Sequence, residues 1–244
     1  MTIKDTHRTL VIAALAVIFL LLILFQAVSS MRQESPTFDE VILLPAGYSY
    51  WKTGDFRLDF DSPPLIKLIA SVPLMFMNLP LQTKGFDSWE SANELIFGHG
   101  FLYHRDADRI IFWGRIPIVL LSLLLAFFVF RWARELYGIG AGFFALFLYS
   151  FEPNILAHSR LVTTDLGVTA FSTIALYYFY RFHKEPDTKH LVLSGITFGL
   201  AQVSKFSAVL LVPVYLILSL LRIFSGKKIT SPLSFPAKGS SIRG

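Results

Sequence analysis

The sequence predicts an all-α, polytopic membrane protein with about six transmembrane helices. Of its 244 residues, 54% are hydrophobic, 24 are phenylalanine and only 16% are charged, whereas about 25% of residues are charged in a typical soluble domain. The basic residues, which give a net charge of +5, lie at the ends of the apolar runs rather than on one polar face. This distribution follows the positive-inside rule and argues against a nucleic-acid partner.

The predicted spans follow one another along most of the chain. The first covers Thr9 to Val28 and is interpreted as an uncleaved signal anchor, although Ala27-Val28-Ser29 also resembles a signal-peptide cleavage site. The next three spans cover residues 110–132, 138–156 and 164–180. Residues 191–221 would form a helix of about 46 Å, too long for one ordinary span. Ser204-Lys205 is therefore expected to divide this run into two short helices.

The positive-inside rule also predicts the orientation of these helices. With a cytoplasmic amino terminus, six crossings bring the basic loops around residues 131–134, 181–189 and 222–228 to the inner side. Residues 29–109 and 152–164 then lie outside. An alternative span over Leu65–Leu81 would reverse every later loop and expose the basic clusters, so we reject it. Residues 225–244 are interpreted as a cytoplasmic linker or tail, and the bacterial plasma membrane is the favoured location.

The first outer loop, residues 29–109, is too long to be a plain connector and too apolar to be disordered. Val41–Leu44 and Pro64–Leu79 are predicted to form short juxtamembrane helices that lie on the membrane surface or dip into it. Pro64 suits a helix start, because the first turn does not need its missing N–H.

The same loop holds the residues best suited to catalysis. Asp39 and Glu40 form an acidic pair directly after the first span, where a carboxylate can act as a general base at the water–lipid boundary. Lys67 and Arg57 supply cations that can hold a phosphate. Asp165 lies at the outer end of the fourth predicted span, and a carboxylate beside hydrocarbon is usually functional.

Each of these residues also has a structural interpretation. Asp39 and Glu40 can be solvated loop charges, and Thr164-Asp165 can cap a helix. Lys205 and Arg115 can extend from a helix to the membrane surface. The histidines lack a metal-binding spacing, and the absence of cysteine excludes disulfides and thiolate sites.

Taken in order, the motifs resemble the protein O-mannosyltransferase and aminoarabinose transferase superfamily, membrane glycosyltransferases of the GT-C type in a GT39-like branch. The resemblance covers residues 9 to about 224. Its residues are Phe38-Asp39-Glu40, Gly47, Tyr50, Gly54-Asp55, Pro63-Pro64-Leu65-Ile66-Lys67, Glu152-Pro153-Asn154, Arg160 to Asp165, Gly195, Gly199, Ser204 and Lys205.

The resemblance implies inverting transfer of mannose or a related hexose or pentose from a polyprenyl-phosphate carrier. The acceptor would be a protein, a lipid or a glycan on the non-cytoplasmic side. Asp39 would be the catalytic base, with Glu40 and Asp165 as the other acidic residues. The substrate-binding residues would be Lys67, Arg57, Asp61, Arg160 and Lys205. No metal ligand and no cofactor is expected. A divalent metal is compatible with the family, but the residues do not indicate one.

The chain also departs from this family pattern. Ser62 stands where family members often carry His before Pro-Pro, and the family is usually about twice as long. Residues 1–224 are therefore expected to be the N-terminal portion of a GT-C domain. The alternatives are a non-enzymatic membrane transporter, a component that binds lipid-linked sugars, or an inactive truncated homologue.

Overall fold

The computed structural model confirms an all-α membrane protein and describes residues 3–83 and 85–224. The tail predicted for residues 225–244 lies outside the described residues. The α-helices are α1 Ile3–Met31, α2 Phe38–Thr53, α3 Leu65–Ser71, α4 Asp87–Glu90, α5 Glu94–Tyr103, α6 Ala107–Tyr137, α7 Ile139–Phe151, α8 Pro153–His158, α9 Thr164–Lys184, α10 Thr188–Gln202 and α11 Leu211–Phe224. Two 3-10 helices cover Val72–Phe76 and Phe206–Leu210.

Three helical stretches in the described part of the chain are long and apolar enough to cross a bilayer. They are Thr9–Met31, Ala107–Tyr137 and Phe206–Phe224. The first and third expose most of their apolar side chains, Leu10 and Phe25 in α1 and Phe224 in α11 among them. Such outward-facing apolar surface suits contact with lipid, because the helical backbone already satisfies its own hydrogen bonds.

The other predicted spans differ from this simple arrangement. The span predicted for residues 138–156 is broken at Glu152, so α7 has only 13 residues, or about 20 Å of helix. The break follows from Pro153, which keeps the preceding residue extended, with ψ of 119° at Glu152. α10 has 15 residues, while α9 is long enough but lacks the apolarity of the three spans. The predicted division at Ser204-Lys205 is confirmed, since α10 ends at Gln202.

α6 is the central helix of the molecule. It packs against α1, α7 and α9, and also against α3 and the 3-10 helix that follows it. Its buried apolar residues, such as Ile110, Ile118 and Leu125, belong to the main hydrophobic core. The segment between the first two spans is therefore folded against α6 rather than held away from it.

The middle of α2, which contains the predicted juxtamembrane segment Val41–Leu44, packs against other helices of the protein. Val41, Leu43 and Leu44 are all buried. Two glycines let neighbouring helices approach it closely. A Cβ on Gly47 would lie 2.1 Å from the Lys67 carbonyl oxygen in α3, and one on Gly98 would lie 1.9 Å from the Val41 carbonyl oxygen. The backbones of α3 and α5 are thus in direct contact with α2.

Candidate active site

Four segments converge where α2 and α9 begin. α2 starts after Thr37 and α9 after Thr163. The start of α3 joins them, because the Leu65 N–H donates to the Val203 carbonyl oxygen at 3.1 Å, next to the break after α10. A Cβ on Gly167 would collide with Ile66, so α9 and α3 are also in close contact. Asp39 and Glu40, in the first turn of α2, and Asp165, in the first turn of α9, are thereby brought to the same end of the molecule.

Glu40 connects the start of α2 to the start of α9. Its side chain has no exposed surface. One carboxylate oxygen accepts hydrogen bonds from the Thr37 N–H at 2.9 Å and the Thr37 hydroxyl at 3.0 Å, which closes the first turn of α2. The other accepts from the Val162 N–H at 3.0 Å, two residues before α9 begins. Glu40 therefore fixes the start of α2 against the start of α9.

Arg115 is the cation opposite Glu40, and this corrects the prediction that it extends to the membrane surface. Its side chain is fully buried in α6. Its Nε and Nη2 donate to the two Glu40 oxygens, each at 2.7 Å. The remaining N–H groups donate to the carbonyl oxygens of Met31, Glu34 and Ser35 at 3.0–3.1 Å. All five donors of the guanidinium are thus satisfied, which is the condition for burying such a charge pair.

Asp39 differs from its neighbour because its side chain is exposed. It lines a cavity of about 180 Å³ together with Ile42, Leu43, Asp59, Ser62 and Thr164. The acidic pair is therefore divided between one buried carboxylate and one open carboxylate. Of the two, Asp39 is the carboxylate that a molecule in this cavity can reach.

Asp165 lies in the first turn of α9, directly after the cavity residue Thr164. Its Oδ1 accepts a hydrogen bond from Lys205 Nζ at 2.6 Å. Both partners remain partly exposed, 37% for Lys205 and 46% for Asp165. The extended backbone of Lys205, at the break after α10, directs this cation towards α9. Lys205 therefore pairs with Asp165, and neither side chain is buried by the contact.

Lys67 is turned into the protein. Its side chain is 1% exposed, and its Nζ donates to Asp59 Oδ2 at 2.8 Å, to the Asp59 carbonyl at 2.5 Å and to the Ser62 carbonyl at 2.9 Å. Burial lowers the pKa of Lys67, and the hydrogen bond to Asp59 opposes that shift. In this arrangement Lys67 closes the loop before α3, and all three of its N–H donors are already used.

The other two predicted binding residues of that loop, Arg57 and Asp61, are exposed. Arg57 pairs with Asp55 at 2.6 Å and lies over the Trp89 ring at 5.0 Å. The hydrogen bond from Arg57 holds the pKa of the Asp55 carboxyl below its usual value. Asp61 is exposed on the same loop. Neither Arg57 nor Asp61 lines the cavity that contains Asp39.

Arg160 joins the segment before α9 to the segment after α1. Its guanidinium forms two hydrogen bonds with Glu34, at 2.9 and 2.5 Å, and a third with the Leu156 carbonyl at 3.2 Å. The hydrogen bond from Arg160 lowers the pKa of Glu34. Arg160 therefore supports the Glu40–Arg115 contact from the side of the loop.

Within the described part of the chain, no group of three or more histidine or acidic side chains is arranged to hold a metal ion. Two acidic side chains near the cavity already have cationic partners: Asp59 pairs with Lys67 and Asp165 pairs with Lys205.

Sequence reasoning missed the roles of Arg115, Asp59 and Glu34. Arg115 carried a usable signal, because an arginine inside an apolar helix normally has a buried partner. Asp59 has a left-handed backbone, with φ of 48°, and nothing in the sequence separates it from Asp55 and Asp61. Glu34 follows the first span without any motif around it.

Comparison with known proteins gives one family match. Residues 108–235 match the family model described as Dolichyl-phosphate-mannose-protein mannosyltransferase. The matched region contains Arg115, Arg160, Asp165 and Lys205, whereas Asp39, Glu40 and Lys67 precede it. No curated protein and no solved structure matches the chain.

Proposed function

Because the chain belongs to the dolichyl-phosphate-mannose-protein mannosyltransferase family, we propose that it transfers a sugar from a polyprenyl-phosphate carrier to an acceptor outside the membrane. The sugar is mannose or a related hexose or pentose, and the acceptor is a protein, a lipid or a glycan. The carrier diffuses in the plane of the bilayer, so a site where spans meet the outer loop lets its sugar encounter an acceptor in water. Binding then converts that encounter into an oriented reaction.

Asp39 is the base in this proposal. Its carboxylate takes the proton from an acceptor hydroxyl, whose oxygen attacks the anomeric carbon from the face opposite the carrier. The bond between that carbon and the phosphate oxygen breaks, and the electron pair leaves with the polyprenyl phosphate. One glycosidic bond forms, one sugar–phosphate bond breaks, and the configuration at the anomeric carbon is inverted.

Lys205 is the cation that we assign to the departing phosphate. It is more than one-third exposed and only one described carboxylate, Asp165, pairs with it, whereas the three donors of Lys67 are directed at Asp59 and Ser62. A charged donor near the leaving oxygen stabilises the negative charge that develops as the bond breaks. Asp165 keeps Lys205 at the start of α9, beside the cavity residue Thr164.

The observation that supports this proposal is that Glu40 is buried whereas Asp39, the other member of the acidic pair, is exposed. Glu40 uses both of its oxygens in buried contacts, and Asp39 presents its carboxylate to a cavity. A base must reach the proton that it removes, and Asp39 meets that requirement.

The test is a transfer assay in membranes that contain the protein and a panel of radiolabelled polyprenyl-phosphate sugars. Asp39→Asn keeps the size of the side chain but removes the base, so we expect transfer to fall by about 10²-fold or more. Asp87→Asn, which changes another exposed carboxylate of the outer loop, is the matched control and should transfer normally. Equal transfer by wild type and Asp39→Asn, at equal protein levels, would remove the assignment. Binding of labelled carrier without any transfer would favour the non-enzymatic alternative.

Lys205→Gln tests the phosphate partner. Since both members of the Lys205–Asp165 pair are partly exposed, its loss should change the unfolding temperature little. Transfer should nevertheless fall about tenfold or more, because a charge-assisted hydrogen bond to the leaving phosphate is removed. Lys52→Gln, which removes an exposed lysine of α2, is the control. A large drop in the unfolding temperature, or unchanged transfer, would contradict the assigned role.

We propose further that the reaction needs no metal or other cofactor, because a sugar linked to a phosphate carrier is already activated. Treatment with EDTA should then leave the transfer rate unchanged. Loss of activity on chelation, restored by one divalent cation, would overturn this part of the proposal.

A further inference from the structure

A second and larger cavity lies between the end of the first outer loop and the start of α6. It has a volume of about 500 Å³, which falls within the range of small-molecule sites. Its lining combines apolar residues, among them Met77, Phe97 and Phe101, with polar residues that include His104 and Arg109. It shares no lining residue with the cavity that contains Asp39.

The polar residues that line this cavity favour binding of an anion. Arg105 donates to the Phe101 carbonyl at 2.6 Å and to the Pro80 carbonyl at 2.8 Å. It thereby connects α5 to the segment around Pro80, and its charge is not neutralised by these neutral acceptors. Arg109 is exposed and makes no ion pair within residues 3–83 and 85–224. Asp106 is the one carboxylate in the lining, and it accepts the Arg109 backbone N–H at 3.0 Å as the cap of α6. The lining therefore contains two guanidinium groups and one carboxylate, which already caps a helix.

The position of the cavity at the start of a candidate span suits the depth of lipid head groups. α6, which is one of the three candidate spans, begins at Ala107, on the edge of the cavity. Tyr103 and Trp113 flank this point with 47% and 44% of their surface exposed. Exposed tyrosine and tryptophan side chains near the end of a span mark the membrane interface. A lining that combines apolar and cationic residues at this depth suits an amphiphile.

We propose that this cavity binds the phosphate head group of an anionic bilayer lipid. Arg109 contacts the phosphate, and the first part of an acyl chain lies against Phe97 and Phe101. The site is separate from the candidate active site and does not depend on the proposed transfer reaction. It is nevertheless attached to α2, because the Tyr48 hydroxyl donates to the Leu79 carbonyl at 2.6 Å and its ring packs on Phe101 at 5.4 Å. Bound lipid should therefore stabilise the folded protein.

The experiment measures lipid binding to the detergent-purified full chain by native mass spectrometry and by the shift in unfolding temperature. The probes are phosphatidylglycerol, phosphatidylcholine and water-soluble glycerol 3-phosphate. Phosphatidylcholine keeps the phosphate without net negative charge, and glycerol 3-phosphate keeps the anion without the chains. We expect phosphatidylglycerol to bind and to raise the unfolding temperature, and the other two to bind at least tenfold more weakly.

Two variants test the location of the site. Arg109→Gln should weaken phosphatidylglycerol binding by about tenfold, as expected for loss of one charged hydrogen-bond partner. Gly100→Phe should weaken it further by filling the cavity, since a Cβ at Gly100 meets only His104, at 3.9 Å. The matched controls are Arg32→Gln, an exposed arginine outside this cavity, and Gly140→Phe, at an exposed glycine with nothing within 4 Å of its added Cβ.

The results separate the outcomes. Weakened binding in both cavity variants, with normal binding in both controls, supports the site. Equal binding of phosphatidylglycerol by all four variants overturns it, as does equal binding of phosphatidylcholine and phosphatidylglycerol by the wild type. Tight binding of glycerol 3-phosphate would replace the lipid with a soluble anion and overturn the proposal as stated. Asp39→Asn should bind lipid normally, so failure of the transfer proposal leaves this test intact.

Discussion

At the scale of single residues, the arrangement of the candidate active site depends on one buried pair. Glu40 and Arg115 contact each other through two 2.7 Å hydrogen bonds, and every remaining donor of Arg115 meets a backbone carbonyl. A buried pair of this kind is not necessarily more stable than an apolar replacement, but it tolerates the loss of one partner poorly. We infer that it serves to position Asp39.

Arg115→Met should destabilise the protein by about 3–5 kcal/mol, because it leaves the Glu40 carboxylate buried without a cation. The unfolding temperature in detergent, followed by tryptophan fluorescence, measures the change. The double variant Glu40→Gln, Arg115→Met should lose less than the sum of the two single variants, since it leaves no unpaired charge. Arg32→Met, at an exposed arginine, is the control. Additive losses in the double variant would contradict the coupling.

Glu34 gives a prediction about pH. Arg160 lowers the pKa of Glu34 in the folded protein below its ordinary value of 4.5. The ion pair therefore stabilises the fold above that ordinary value, and the contribution is lost as pH falls through the folded-state pKa. The difference in unfolding temperature between wild type and Glu34→Gln should be steady from about pH 6 to 7 and should shrink below about pH 4. A difference that grows on acidification would contradict the assignment.

At the scale of elements, α2, α3 and α5 are held together by close backbone contacts. The α5 residue Gly98 faces the Val41 carbonyl of α2, and the α2 residue Gly47 faces the Lys67 carbonyl of α3. Because α2 begins with Asp39, these contacts fix the helix that carries the proposed base. The same helix α5 forms a wall of the larger cavity through Phe97 and Phe101.

Gly98→Ala should therefore destabilise the protein, by about 1–3 kcal/mol, because the new methyl group would overlap the backbone of α2. Gly100→Ala, two residues along the same helix, is the control. Its added methyl group makes only an ordinary contact with His104, at 3.9 Å, and should stabilise the helix by up to about 1 kcal/mol. Unfolding temperatures of the two variants compare them directly. A Gly98→Ala variant as stable as Gly100→Ala would mean that α2 and α5 are not in contact.

At the scale of the whole molecule, the proposed orientation can be tested because the chain contains no cysteine. Single cysteines at Asp61 and Asn154, both exposed in the segments predicted to lie outside, should react with an impermeant thiol reagent added to intact cells. A cysteine at Glu185, exposed near the basic residues predicted to lie inside, should react only after the membrane is opened. Labelling of the first two positions from opposite sides would contradict the predicted topology.

The sequence was sufficient to predict the elements that follow from local patterns. The spans of α1 and α6, the helix starting near Pro64 and the break at Ser204-Lys205 all depend on apolar length or on residues that interrupt a helix, and the structure has each of them. The partners of charged residues depend on contacts between distant parts of the chain. Arg115 inside an apolar helix indicates a buried partner, but nothing local identifies Glu40 as that partner. Nothing local predicts the inward position of Lys67 either, so both contacts required the fold.

The burial of Arg115 has a consequence for how the protein is made. α6 is 31 residues long, and its arginine lies about 12 Å from the first residue. On an isolated helix in lipid, that guanidinium would meet hydrocarbon or draw water inward, at a cost of a few kcal/mol. Its acceptors come from the end of α1, from the segment before α2 and from the first turn of α2. We therefore expect α6 to settle in the bilayer together with the segments synthesised before it, as one unit rather than as independent spans.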